Sequence, residues 1–300
     1  LRFIFHYPEP SGPEGDLIDA GPMNEVARAA ERCGFDGLSI SEHPAPGARW
    51  LHAGGHQTLD PLVTLGYVAG ATERLRLITN LVVAPYRNPF ILAKAAATLD
   101  KLSGGRFTLG LGAGYLKGEF FALGVDMEER NALFDEVLDV LPLHWSGEPF
   151  SYEGRHFNAR DIIARPRPVQ NPIPIWLGGN SRLTRRRVAQ RAQGWMPMAG
   201  GPELSTTART PALNSVEELA TAISEVRQLA AEAGRSDAID VAYSYVAEGL
   251  STPTVDVDRH REALAELEKA GVTWCFVSGG TRETSATRDF LEGFGTTYLN

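Results

Sequence analysis

The chain has 300 residues, 43% hydrophobic and 22% charged, with 31 Gly, 19 Pro and 2 Cys, so it is neither disordered nor low-complexity. A net charge of −8 and a pI near 5.5 argue against duplex nucleic acid as a partner, and no run of about 18 uncharged apolar residues offers a membrane span. The opening LRFIFHYPEP lacks the order of a signal peptide, and Cys33 and Cys275 sit in apolar company, which together read as a reduced, cytoplasmic chain without a disulfide framework.

Short apolar runs alternate with amphipathic stretches. A strand over 2–6 precedes a helix over 22–33, and residues 36–41 form the second strand. Asp60-Pro61 opens a helix, with Asp suited to the N-cap and Pro to the first turn. A third strand is expected over 75–84; Asn88-Pro89 repeats the helix-start signal, and that helix ends at Ser103-Gly104-Gly105. The fourth strand, 106–113, leads to a helix over 127–145. The stretch 147–172 breaks the rhythm and contains a small hairpin expected over 150–157. Strands follow over 173–177 and 195–198, separated by a helix over 182–193. A loop over 200–214 leads to a helix that Ser215 and Glu218 open as a capping box. Strands over 239–247 and 273–278, with helices over 256–270 and 285–294, complete the series.

Eight β-then-α units favour a parallel sheet with right-handed crossovers, and eight is the number that closes a (β/α)8 TIM barrel. The expected fold is therefore α/β, a single barrel domain over 1–300, with insertions after the fourth helix and after the sixth strand. An open doubly wound sheet is the rival, but Pro8-Glu9-Pro10-Ser11 after strand one is no GxGxxG turn.

Active sites of such barrels lie at the C-terminal ends of the strands. Those ends carry His6, Ser41-Glu42-His43, Thr79-Asn80-Leu81, Gly110 to Tyr115, Gly178 to Ser181, Met196 to Met198, Tyr243 to Tyr245 and Ser278-Gly279-Gly280. On strand four, Phe107, Leu109 and Leu111 alternate with Thr108, Gly110 and Gly112, so the bulky set covers the outer helices and the glycines face inward. That glycine face leaves volume for a flat ring or a phosphate, unless it serves tight packing in a narrow barrel. Gly178-Gly179-Asn180-Ser181 enters a helix and reads as an anion seat or a simple cap. Arg182, Arg185, Arg186 and Arg187 follow, either as a solvated face or as neighbours of an anionic ligand. Glu42 and His43 form a candidate acid/base or ring-binding pair. The seven histidines contain no HxH pair, which disfavours a catalytic metal.

The run Gly34 to His43 (GFDGLSISEH), then TNLVVAPYRNP from Thr79, DKLSGGR from Asp100, FTLGLGAGYLKGEF from Phe107, Gly124-Val125-Asp126, RPRPVQ from Arg165 and PIWLGGNS from Pro174 resembles the bacterial luciferase-like superfamily of flavin- and deazaflavin-dependent oxidoreductases. The resemblance implies a flavin-like ring in the barrel mouth and a non-proline cis peptide at Asn80-Leu81. It implies a cofactor phosphate near Gly112, Ala113, Gly114 and Tyr115 and near Gly178, Gly179, Asn180 and Ser181, with Glu42 and His43 toward ring and substrate. The run GLGAGYLKGEFFALGVD is most similar to the F420-dependent group, whose cofactor carries an oligoglutamate tail that Arg182 and its neighbours would meet. FMN is the alternative cofactor. Sugar-phosphate dehydrogenases of the superfamily carry Glu where Tyr115 stands and a Lys after strand six, which MPMAGG from Met196 lacks. Together with Trp50, Trp195, Met196 and Met198 this points to an apolar small-molecule substrate. The expected function is hydride transfer between F420 and that substrate. An FMN-dependent monooxygenase using reduced flavin and O2, or a non-catalytic flavin-binding barrel, are the alternatives, and a homodimer is an option.

Overall fold

The structure, a computed structural model, describes residues 1–300 except 16, 201, 280–282 and 300, and the side chains of 202–204 are also outside the description. Gly201 and Gly280, named above at strand ends, therefore lie outside the described residues.

Eight parallel positions close into a barrel. The strands are β1 (Arg2–His6), β2 (Gly37–Ile40), β3 (Arg76–Thr79) continued by β4 (Val82–Val83), and β5 (Phe107–Gly112). An inserted hairpin holds β6 (Phe150–Glu153) and β7 (Asn158–Ile162). The barrel resumes with β8 (Ile175–Gly178), β9 (Gly194–Met196), β10 (Asp240–Ser244) and β11 (Trp274–Val277). Pairing of β1 with both β2 and β11, and of β5 with both β3 and β8, leaves no open edge in the ring.

Around it run α1 (Met23–Arg32), α2 (Ala48–His52), α3 (Pro61–Ala69), α4 (Pro89–Leu102), α5 (Lys117–Ala122) and α6 (Arg130–Ser146). They are followed by α7 (Arg182–Arg191), α8 (Pro202–Ala208), α9 (Val216–Glu232), α10 (Val257–Ala270) and α11 (Thr284–Phe294). The helix starts obey their caps: Asp60 accepts from Leu62 N and Val63 N, Asn88 from Phe90 N, and Ser215 from Glu218 N. No described helix is long and apolar enough to cross a membrane.

Two cores form, as strand alternation requires. Phe107, Leu109 and Leu111 join the large layer between strands and helices, while Ile4, Ile78, Trp176, Met196, Ala242, Trp274 and Phe276 fill the barrel interior. The sequence motifs away from the mouth are ties. Asp100 accepts from Val169 N (2.6 Å), Gln170 N (3.0 Å) and Gln170 Nε2 (2.6 Å), so DKLSGGR and RPRPVQ hold each other. Arg106 caps the carbonyls of Ala69, Thr72 and Leu75 from below.

Four expectations need correction. The third strand is not continuous over 75–84: it breaks at Asn80-Leu81, whose peptide is cis as expected, and passes into a 3-10 turn over Ala84–Tyr86. The helix expected over 127–145 begins with a 3-10 turn, Met127–Glu129, before α6. The hairpin does not end at 157, because residues 154–157 are its turn, where Glu136 accepts from His156 N at 3.0 Å, and β7 follows. The loop over 200–214 contains α8, which starts on Pro202 as a first-turn proline can.

Candidate active site

A cavity of about 680 Å³ opens at the C-terminal end of the barrel. Of the residues singled out from sequence, Glu42, His43, Asn80, Leu81, Gly112, Ala113, Gly114, Tyr115, Gly178, Gly179 and Ser181 all line it. Its floor is the top of the inner core, Met196, Ala242 and Phe276, and Pro197, Met198 and Val246 make one wall apolar.

Asn180 is brought close but turned away. It is 1% exposed, and its side chain donates to Met198 O (3.0 Å) and Pro211 O (2.8 Å) and accepts from Met198 N (2.8 Å). It fastens the segment after β9, and Ser181 is the cap of α7, accepting from Thr184 N at 3.1 Å. Arg182 is exposed and is not among the lining residues. The other arginines divide: Arg185 pairs with Glu225 at 3.2 Å, Arg186 is exposed, and Arg187 is buried on Asp135 (2.7 and 2.8 Å) over the Phe134 ring. Trp195 belongs to the outer core, with Nε1 donating to Gly179 O, and so is not a substrate contact.

The inward glycines serve the bulge at 80–81. A Cβ at Gly112 would lie 2.2 Å from Leu81 Cδ1, one at Gly178 2.2 Å from Leu81 Cδ2, and one at Gly110 1.9 Å from the Thr79 carbonyl. The volume expected there for a ring is thus filled by Leu81 itself, which becomes the platform of the cavity. Gly112→Ala is expected to push Leu81 outward, costing about 1–3 kcal/mol and narrowing the cavity. Chemical denaturation together with ligand titration checks this; unchanged stability would mean that Leu81 swings aside freely.

Two of the amides that the sequence pattern offered to an anion are already taken. Gly179 N donates to Met196 O and Asn180 N to Thr210 Oγ1, so both are spent. Of the first-turn amides of α7, Thr184 N donates to Ser181 Oγ, and Ser181, Thr184, Arg187 and Thr210 line that end of the cavity.

Opposite stands His43, 8% exposed. Its Nδ1 lies 3.3 Å from Glu119 Oε1, and Trp50 covers its ring at 4.5 Å between centroids. Glu119, 1% exposed on α5, is fixed in turn by Tyr86 Oη (2.9 Å) and Ala45 N (3.4 Å). A carboxylate on Nδ1 selects the Nδ1–H tautomer and leaves Nε2, which has no partner among the described residues, to act on a ligand. Burial and then Glu119 push the Tyr115 phenol up to about 12, so it remains a hydrogen-bond donor beside His43.

Glu42 is not a free acid. Its Oε2 accepts from Val83 N at 2.7 Å and its Oε1 is ion-paired with Arg87, which also reaches Asp60. Burial raises its carboxyl above the usual range, and Arg87 offsets only part of that. It pins the strand after the bulge, which makes it a positioning residue. Among the described residues no three of His, Cys, Asp and Glu are grouped as a metal site needs.

Glu119, Arg87, Glu9 and His56 were not singled out from sequence. Glu119 had a signal: it follows Tyr115 by four residues, so one helical turn could return it to the same side. Arg87 and Glu9 had none, because each acts on a partner from another strand end.

Comparison with known proteins follows the same outline. The family model described as luciferase-like monooxygenase matches residues 3–269. An F420-dependent glucose-6-phosphate dehydrogenase of Microbacterium testaceum is 32% identical over 219 residues, 71% of this chain and 62% of that protein. An FMNH(2)-dependent dimethylsulfone monooxygenase of Pseudomonas putida is 30% identical over 253 residues, 80% of this chain and 64% of that one. The chain thus spans somewhat under two thirds of the length of these relatives. The monooxygenase RslO1 from Streptomyces bottropensis has the same fold, with a TM-score of 0.76 at 22% identity, covering 100% of this chain and 99% of that one. The family model's match over residues 3–269, on a closed parallel barrel, makes this chain a member of the luciferase-like monooxygenase family.

Proposed function

We propose that the protein is an oxidoreductase that transfers a hydride between coenzyme F420 and a small, apolar organic substrate. The observation that carries this reading is the cavity itself. Its Leu81 platform is backed by glycines, its anion-compatible end is built on the start of α7, and a carboxylate-oriented His43 stands opposite. A volume of about 680 Å³ suits a cofactor-sized ligand. The residues fit such a group: Leu81 and Val83 would support a flat ring, and Ser181, Thr184 and the first amides of α7 would receive a phosphate. When bound, the deazaflavin supplies the hydride chemistry. The protein orients both reactants, excludes water with its apolar wall, and offers the unprotonated His43 Nε2 to exchange a proton with the substrate oxygen. Among the described residues Met196, Met198, Val246 and Phe276 line the cavity and no Lys does, which supports an apolar substrate; Arg130, Arg187 and Arg209 also line it, so glucose 6-phosphate stays in the test panel.

FMN is the second reading, favoured by the dimethylsulfone monooxygenase relative, whose alignment takes in 80% of the chain. Titration with F420 and with FMN, followed by fluorescence, separates them. Turnover is then sought with apolar alcohols and carbonyl compounds beside glucose 6-phosphate. Tight F420 binding with turnover of an apolar compound is expected. Tight binding without turnover in any panel would instead favour a flavin-carrying barrel, and preferential FMN binding would sink the F420 reading.

Arg182 and Arg186 are exposed on α7, the helix whose Leu183, Thr184 and Arg187 line the cavity. Replacing both by Gln is expected to weaken F420 with its glutamate tail by up to about tenfold at low salt, and less as salt rises. FMN, which ends at its phosphate, should be indifferent. Equal loss for both ligands would assign these arginines to the phosphate or the fold.

A further inference from the structure

The outer wall of the barrel carries a second cavity, a groove that shares no lining residue with the mouth. It lies between α1 and α11, the helices next to the paired strands β1 and β11. The two helices run the same way. A Cβ on Gly21, before α1, would lie 3.1 Å from Thr284 Cγ2, and one on Gly295, after α11, 2.5 Å from the Cys33 carbonyl. The groove measures about 270 Å³, close to the lower end of small-molecule sites. The buried Val26 and Leu291, with Ala29, give it an apolar floor. Arg28, Arg32 and Arg288 are exposed along it, and Glu25 is the carboxylate among its described lining residues. Arg28 spends its Nε on Ala71 O at 3.1 Å, while neither Arg32 nor Arg288 is ion-paired among the described residues.

Thr287 lines the same groove. It is 1% exposed, and its Oγ1 has no hydrogen-bond partner among the described residues. Threonines within other helices return their hydroxyls to the carbonyl four residues back, Thr98 to Lys94 O at 2.8 Å in α4 and Thr221 to Glu217 O at 2.9 Å in α9. Thr287 makes no such bond, and a buried hydroxyl without a partner costs stability. Its hydroxyl is therefore left to a partner from outside the chain.

We propose that this groove is a second ligand site, for a small phosphate monoester with a hydroxyl-bearing organic part. Arg28, Arg32 and Arg288 supply positive charge and the forked donors that phosphate oxygens take. Thr287 donates its hydroxyl to one of those oxygens. Glu25 accepts from a hydroxyl of the ligand, which favours an ester over inorganic phosphate, and the apolar floor receives its carbon chain. Binding makes and breaks no covalent bond. The site goes beyond the oxidoreductase reading and does not depend on it.

The test follows methyl spectra of the full chain, with Val26 and Leu291 reporting the groove and Leu81 and Val83 the barrel mouth. Glycerol 3-phosphate is expected to shift the Val26 and Leu291 signals saturably, at lower concentration than inorganic phosphate or malonate. Arg32→Gln/Arg288→Gln should weaken its binding by about tenfold at low salt, and less as salt rises. Thr287→Val should also weaken it by about tenfold. The same variant should raise the unfolding midpoint of the ligand-free protein by about 1–3 °C, because the added methyl needs no partner. A lowered midpoint would make the hydroxyl a structural group and count against the site. No saturable shift at Val26 and Leu291, shifts confined to Leu81 and Val83, or unchanged affinity in Thr287→Val overturns the proposal. Malonate binding as tightly as glycerol 3-phosphate overturns the assignment to phosphate. Because the readout needs neither cofactor nor turnover, failure of the oxidoreductase reading would leave this result standing.

Discussion

Replacing Arg87 by Met is expected to destabilise the protein by about 3–5 kcal/mol, because it strands a buried carboxylate. The Glu42 side chain is 2% exposed, and Arg87 is its cationic partner. The loss should depend on pH in a definite direction. Burial already raises the Glu42 carboxyl, and removing the guanidinium removes the largest influence holding it down. A carboxyl whose folded pKa lies above its unfolded value binds its proton more tightly in the folded state. It therefore adds stability below the unfolded pKa, and that stability is lost as pH rises through the folded one. The variant should be nearer to wild type at mildly acidic pH than at pH 8. Urea denaturation at both pH values, together with Arg87→Met/Glu42→Gln, checks this. The double variant should recover more than half of the loss, since no charge remains to be stranded. A loss equal at both pH values and unrelieved by Glu42→Gln would mean that Arg87 acts by packing.

The largest effect on turnover is expected at His43. His43→Gln should lower kcat by about 10²–10⁴-fold, the usual contribution of a positioned acid or base. Cofactor affinity should change only a few-fold, because the platform and the α7 seat lie on other strand ends. Glu119→Ala should give a smaller loss: the imidazole survives but its tautomer and tilt are no longer set by the 3.3 Å contact. Steady-state kinetics on the substrate returned by the panel, with parallel cofactor titration, separates the roles. Full turnover in His43→Gln, or a collapse of cofactor binding without a fall in kcat, would make His43 a binding group rather than a proton carrier.

The barrel rhythm and the helix starts at Asp60-Pro61, Asn88-Pro89 and Ser215 were legible because each is a local signal, written within four residues. The short helices α2 and α5 were not, since five or six residues carry too little periodicity to stand out from loop. The strand ends named the right side of the barrel, and hence most cavity residues. What they could not convey is which polar groups face each other: His43 and Glu119 are 76 residues apart, Val83 and Glu42 41, Ser41 and Glu9 32. Those pairings exist only once the ring closes. Asn180 illustrates the opposite failure: its position was right, but its amide was claimed by the carbonyls of Met198, after β9, and Pro211, after α8.

The inserted hairpin is held at its turn by Glu136, and the chain leading from it back into β8 is held by Asp100. Its own two strands pair with each other and not with the barrel. The seam between β5 and β8 therefore closes without any help from residues 150–162. Substitutions at its exposed strand positions are therefore expected to leave the β5–β8 seam intact, since Asp100 and Gln170 hold the entry to the fifth barrel strand.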